Sequence, residues 1–251
     1  MILFGTNPIA WDNDDDRSIG ADIPTARILD EAGRQIGFDG IENGHRWPDD
    51  PEELRALLAG YGLKFISGWY SCNLLVQSVQ DEIAACQAHL ARLKHNGCKV
   101  MITCETSNAI HGDAGRAVND RPRLTADGMR DFGAKLEEFA AYLAGQGVTL
   151  VYHHHMGTIV ESPEEIDALM AATGPHTQLL FDAGHCAFGG GDPVAVLTRH
   201  AARVRHFHAK NIRPNVVARV RDEGTSFLQA VLAGAFTVPG DQEGGIDFAP
   251  L

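Results

Sequence analysis

Cysteine is scarce and scattered in this 251-residue sequence: Cys72, Cys86, Cys98, Cys104 and Cys186 are odd in number and form no CxxC pair. That excludes a zinc-cluster scaffold and a disulfide framework, and reads as reduced, mostly buried thiols. No apolar run approaches the roughly 20 residues that a membrane-spanning helix requires. The apolar opening at residues 2–4 soon meets Asp12, Asp14, Asp15 and Asp16, the wrong sign and length for a secretory leader. A cytoplasmic protein with no membrane partner is expected. Positive charge is also short, with 21 Lys and Arg against 33 Asp and Glu and a formal net charge of −12. Without a dense basic run, nucleic acid is repelled on average, which argues against a nucleic-acid partner and a DNA-repair role. No GxGxxG follows the first apolar run, so an open dinucleotide-binding sheet is only the second choice.

What is present is an alternation. Short β-branched or apolar runs at residues 2–5, 38–42, 63–69, 98–103, 148–153, 178–182 and 204–208 read as strands. Amphipathic stretches at 24–36, 51–59, 78–95, 125–144, 163–172 and 193–201 read as helices, with another near 223–233. Pro24, Pro51, Pro163 and Pro193 stand at helix starts, where a missing N–H costs nothing. Gly37, Gly60, Gly97, Gly147 and Gly174 stand near helix ends. Repeated β-α units predict an α/β fold with its parallel sheet closed into a TIM (β/α)-barrel. Seven strands are readable, whereas a closed barrel needs eight. The glycine-, proline- and aspartate-bearing tail at 238–251 shows no strand pattern. A single barrel domain over 1–251, truncated at its C-terminal side with the eighth strand missing, is the expectation.

Catalytic groups of such barrels sit at the C-terminal ends of the strands. Six of the twelve histidines (His153, His154, His155, His185, His206 and His208) fall on strands five to seven or at their ends. Alternation along a strand puts His153 and His155 on one face and His154 on the other. It likewise puts His206, His208 and Lys210 together, and turns Asp182 away from Phe181 and Ala183. His153, Asp182 and His208 can therefore converge as a nitrogen and oxygen set suited to a divalent transition metal. The competing reading is a metal-free polar cluster. His154 is expected outward and hydrogen-bonded, and His206 packed inside the barrel rather than ligating. His185 is the first acid/base candidate, followed by Glu42, His155 and Lys210, with acid and base not separately assignable. Trp11, Trp69 and His45 are candidates for substrate contact, though core packing is an equal alternative for the tryptophans. Cys104 and Glu105 carry no preferred role. The other histidines (His89, His95, His111, His176 and His200) default to the surface, and residues 12–16 to a solvated loop.

The same residues carry a resemblance. Gly5-Thr6-Asn7-Pro8-Ile9-Ala10-Trp11, Gly37-Phe38-Asp39-Gly40-Ile41-Glu42, the run Val151-Tyr152-His153-His154-His155-Met156-Gly157-Thr158, Phe181-Asp182-Ala183-Gly184-His185 and Phe207-His208-Ala209-Lys210 resemble inosose dehydratase. The likeness is colinear across essentially the whole chain, and lies within the xylose-isomerase-like barrels, whose members usually place a Glu where His153 stands. It implies a bound Mn²⁺ or Co²⁺, and loss of water from scyllo-inosose, a cyclic polyol ketone, to give 3D-(3,5/4)-trihydroxycyclohexane-1,2-dione in inositol catabolism. Glutathione enters by the resemblance alone. The resemblance also implies a fourth ligand, a Glu, from an eighth strand. The alternatives are a metal-dependent sugar isomerase or epimerase and a catalytically impaired carbohydrate-binding barrel. A homo-oligomer is compatible with the sequence without being required by it.

Overall fold

Two-residue strands open the barrel. In the computed structural model, which describes residues 2–251, β1 (Gly5–Thr6) pairs in parallel with β2 (Gly40–Ile41), and β2 with β3 (Lys64–Phe65). Helix α1 (Thr25–Asp30), continued by a π-helical stretch Glu31–Ile36, joins β1 to β2, and α2 (Pro51–Ala59) joins β2 to β3. After residues 66–68 the chain re-enters a sheet as β4 (Trp69–Cys72). Then follow α3 (Val79–Ala85), α4 (Gln87–His95), β5 (Val100–Glu105), α5 (Ala126–Gly145), β6 (Thr149–His153) and α6 (Pro163–Ala172). The series ends with β7 (Gln178–Asp182), α7 (Ala183–Phe188), α8 (Pro193–His200) and β8 (Val204–His208). Strands β4 to β8 pair in sequence order, all parallel. A parallel sheet joined by helices is the α/β barrel architecture the alternation predicts.

The C-terminal portion departs from the expectation. Instead of one helix near 223–233 there are two, α9 (Pro214–Glu223) and α10 (Phe227–Leu232), separated at Gly224 in a left-handed conformation. An antiparallel pair, β9 (Asn211–Ile212) with β10 (Phe236–Thr237), brackets them. Among the described residues no further strand lies beside β1 or β8, each of which is paired on one side only. No described helix is long and apolar enough to cross a membrane.

Other boundaries move for local reasons. The third expected strand is split, because Ser67 turns its hydroxyl to Glu42 and its carbonyl to the Asn43 N–H. The fourth starts and ends two residues later, which brings Glu105 into the strand. The expected helix at 78–95 breaks at Cys86, whose ψ of −7° leaves helical geometry. Helix starts follow the proline signals: Asp50 caps α2, Asp192 caps α8, and Ser162 with Glu165 forms a capping box on α6. Of the glycines expected at helix ends, Gly37, Gly97 and Gly147 are left-handed, whereas Gly60 is right-handed and Gly62 takes the turn.

Two layers of core follow from strand alternation. Leu150, Tyr152, Leu179 and Phe181 face outward and pack against Phe132, Leu136 and Phe139 of α5 in the principal core. Ile102, Val151 and Leu180 face inward, with Trp69 and Val100 beside them. A separate apolar cluster joins Met156, Phe188, Ile212, Val217, Phe227 and Ala230, and so seats α9 and α10 beside the open end of the barrel.

Candidate metal centre and active site

The inward face of β6 continues past Val151 to His153, that of β7 past Leu180 to Asp182, and that of β8 past His206 to His208. Register pairs Asp182 with His208, and His153 with Leu180, the inward residue that precedes Asp182 on that face. His153 Nε2 lies 3.9 Å from Asp182 Oδ2, and His208 Nδ1 lies 3.4 Å from the same oxygen. Asp182 is fully buried. It also caps α7: Oδ1 accepts the His185 backbone N–H at 2.8 Å, while Oδ2 is buried without a hydrogen-bond partner. Burial by itself would raise its pKa. The charge of Lys210, whose Nζ is 3.5 Å from Oδ2, together with His185 and His208, outweighs that and holds the carboxyl well below the usual range.

His153 donates from Nδ1 to the His154 carbonyl at 2.6 Å, which leaves Nε2 with its lone pair toward Asp182. Burial keeps this imidazole neutral, its pKa well below the ordinary value. His154 faces outward as expected, and is buried, with Nε2 accepting the Asp182 backbone N–H at 3.2 Å.

Glu42 lies across the mouth. Its Oε1 accepts from Ser67 Oγ at 2.8 Å, His206 Nε2 at 2.7 Å and His208 Nε2 at 3.1 Å, and its Oε2 accepts from Asn7 Nδ2 at 2.7 Å. Burial would raise its pKa, but His208 foremost, with His206, holds it well below the usual range. Two groups can therefore hold a divalent cation, His153–Asp182–His208 and Glu42–His206–His208, both using His208. The first fits better, because its carboxylate keeps an oxygen free, whereas Glu42 has its oxygens committed to protein donors. His206 is inward as expected, hydrogen-bonded to Glu42 rather than packed among apolar groups.

Around the first group lie the other expected residues. Lys210 Nζ is 3.0 Å from His185 Nε2 and sits 5.0 Å from the centroid of the Phe236 ring. His155 stacks at 4.2 Å from His185, and donates from Nδ1 to the Met156 carbonyl. Trp69 stands edge-on at 5.5 Å to both His153 and His155. Two candidates lie elsewhere. Trp11 gives its indole N–H to Glu31 and packs on the outer core, and His45 is held by Asp12 and Asp14. Glu105 is buried and accepts backbone N–H groups from Ser107 and Leu75, a loop-holding arrangement. Cys104 is buried beside it, burial pushing the thiol up.

Sequence reasoning missed part of the wall. Phe227 is 5.2 Å from His155 and Phe236 4.9 Å from His185, both carried in by the C-terminal helices and the antiparallel pair. His111, expected at the surface, is instead half-buried 5.0 Å from His155. His89 is half-buried against Tyr70, with burial lowering its pKa to about 4. The acidic loop is not simply solvated: Asp12 and Asn13 are buried, Asp12 under Arg46.

A model of the xylose isomerase-like TIM barrel matches residues 31–251. The rhizopine catabolism protein MocC of Rhizobium meliloti is 43% identical over 100% of this chain and 76% of its own length. An inosose dehydratase of Geobacillus thermodenitrificans is 39% identical over 100% of this chain and 84% of its own. The crystal structure of the probable 3-DHS dehydratase AsbF of Bacillus anthracis shares the fold, with a TM-score of 0.62 over 86% of this chain and 78% of that one, at 15% identity. The chain belongs to the xylose isomerase-like TIM barrel family, among the relatives that include the inosose dehydratases and MocC.

Proposed function

We propose that the chain is a carbon–oxygen lyase of the inosose dehydratase type, removing water from scyllo-inosose to give 3D-(3,5/4)-trihydroxycyclohexane-1,2-dione. The observation that carries the reading is the free, buried Oδ2 of Asp182 facing two imidazole nitrogens, His153 Nε2 and His208 Nδ1. A divalent cation held there, Mn²⁺ or Co²⁺ being our choice, would supply Lewis acidity to the ketone oxygen and so acidify the neighbouring C–H. His185, kept neutral by burial, and Lys210, 3.0 Å from its Nε2, are together assigned removal of that proton. Asp182, whose Oδ2 is 4.0 Å from His185 Nε2 and 3.5 Å from Lys210 Nζ, balances the positive charge of the pair. Glu42 is a poor base, since its oxygens already accept from protein donors; its part is to hold His206 and His208. Trp69, Phe227 and Phe236 form an apolar wall that limits water at the reacting carbons.

A second reading has a specific basis. MocC, at 43% identity, is named for rhizopine catabolism, so a related cyclic polyol other than scyllo-inosose could be the substrate. The test is incubation of the Mn²⁺-loaded protein with scyllo-inosose and proton NMR of the products. Appearance of the dione is the expected result. An epimerised or isomerised ketone would move the assignment to the isomerases, and no conversion would remove scyllo-inosose as substrate.

A further inference from the structure

An elimination requires a second proton transfer, to the hydroxyl that leaves, and His185 with Lys210 occupies only the Asp182 side of the mouth. Beyond His155, the neighbour of His185, stands His111, in the loop after β5. Its ring is edge-on at 5.0 Å to His155, 6.5 Å to Trp69 and 6.5 Å to Phe227, three residues of the site wall. His111 Nδ1 is buried without a hydrogen-bond partner. A buried ring nitrogen of this kind calls for a polar partner, which a substrate hydroxyl would provide.

The Met156-Gly157-Thr158 turn after the three histidines holds this ring in place. Gly157 has φ +74°, and a Cβ there would sit 2.8 Å from the His111 backbone nitrogen. Its carbonyl accepts the Ile110 N–H at 2.9 Å. Only glycine allows both the left-handed backbone and the close approach. The turn therefore docks the His111 loop against the strand that carries His155.

We infer that His111 is the catalytic acid that protonates the departing hydroxyl. This rests on the lyase reading above. In the step, the C–H electron pair becomes the C=C bond of an enolate as its proton passes to the base, and the enolate then re-forms the ketone while that pair becomes the bond between the α- and β-carbons. The β C–O bond breaks, the oxygen takes the His111 proton and leaves as water, and the enol tautomerises to the dione.

The experiment compares the wild-type protein with His111→Asn and His111→Gln, all Mn²⁺-loaded, on scyllo-inosose and on its analogue with fluoride replacing the β-hydroxyl. Fluoride needs no proton to leave. The expected result for His111→Asn is a fall in dione formation of about 10²- to 10⁴-fold. Exchange of the α-hydrogen with D₂O, and elimination from the fluoro analogue, should remain within a few-fold of wild type. His111→Gln should show the same selective loss and serves if the first variant folds poorly. Equal slowing on both substrates by the folded variants, or no slowing on either, would overturn the role of His111. If the wild-type protein neither exchanges the α-hydrogen nor forms dione, the lyase reading fails first and takes this inference with it.

Discussion

His208 stands between two buried carboxylates that the fold treats differently. Glu42 and Asp182 are 4% and 0% exposed, and both are held ionised. Glu42 spends its oxygens on Ser67, His206, His208 and Asn7. Asp182 spends one oxygen on a helix N-terminus and leaves the other without a hydrogen bond. Burial alone does not make a ligand. A saturated carboxylate orients its neighbours, whereas one with a free oxygen beside imidazole nitrogens can hold a cation.

The largest test of that contrast is Asp182→Asn. The amide keeps an oxygen to cap α7 but removes the charge, so the helix should persist while Mn²⁺ affinity, read by calorimetry, falls about 10²- to 10³-fold. Retained affinity would mean that the cation sits at Glu42 instead.

Proton linkage comes next. In the metal-free protein burial disfavours charge on His208, but Glu42 foremost, with Asp182, raises its pKa to about 9. A cation must displace that proton. Affinity should therefore rise about tenfold per pH unit from 7 toward 9 and level off above, with close to one proton released per ion at neutral pH. Titration in buffers of differing ionisation enthalpy reads the proton count, and none released would contradict the bridging role of His208.

The smallest effect is that of Glu42→Gln. Measured at pH 9.5, where the His208 proton competes little, affinity should fall about 10- to 100-fold, the range for a residue that orients a ligand. A loss as large as that of Asp182→Asn would erase the difference between the two carboxylates.

Much of this was legible in the sequence. Alternation on three strands picked out His153, Asp182 and His208, and the prolines marked the starts of α2, α6 and α8. The same proline signal stood at Pro214, ahead of Val216, Val217 and Val220, whose spacing makes a buried helix face; reading it would have found α9. His111, Phe227 and Phe236 carried no such local mark. They lie in a loop, a short helix and a two-residue strand: Phe227 and Phe236 reach the site because the C-terminal cluster packs beside the barrel mouth, and His111 because its loop docks on the Gly157 turn.

Sequence alone determined which side chains face inward, since strand periodicity is a property of neighbours two residues apart. It could not decide which buried oxygen would remain free. The donors that saturate Glu42 come from 25, 35, 164 and 166 residues away, and only the tertiary fold brings them within hydrogen-bond range.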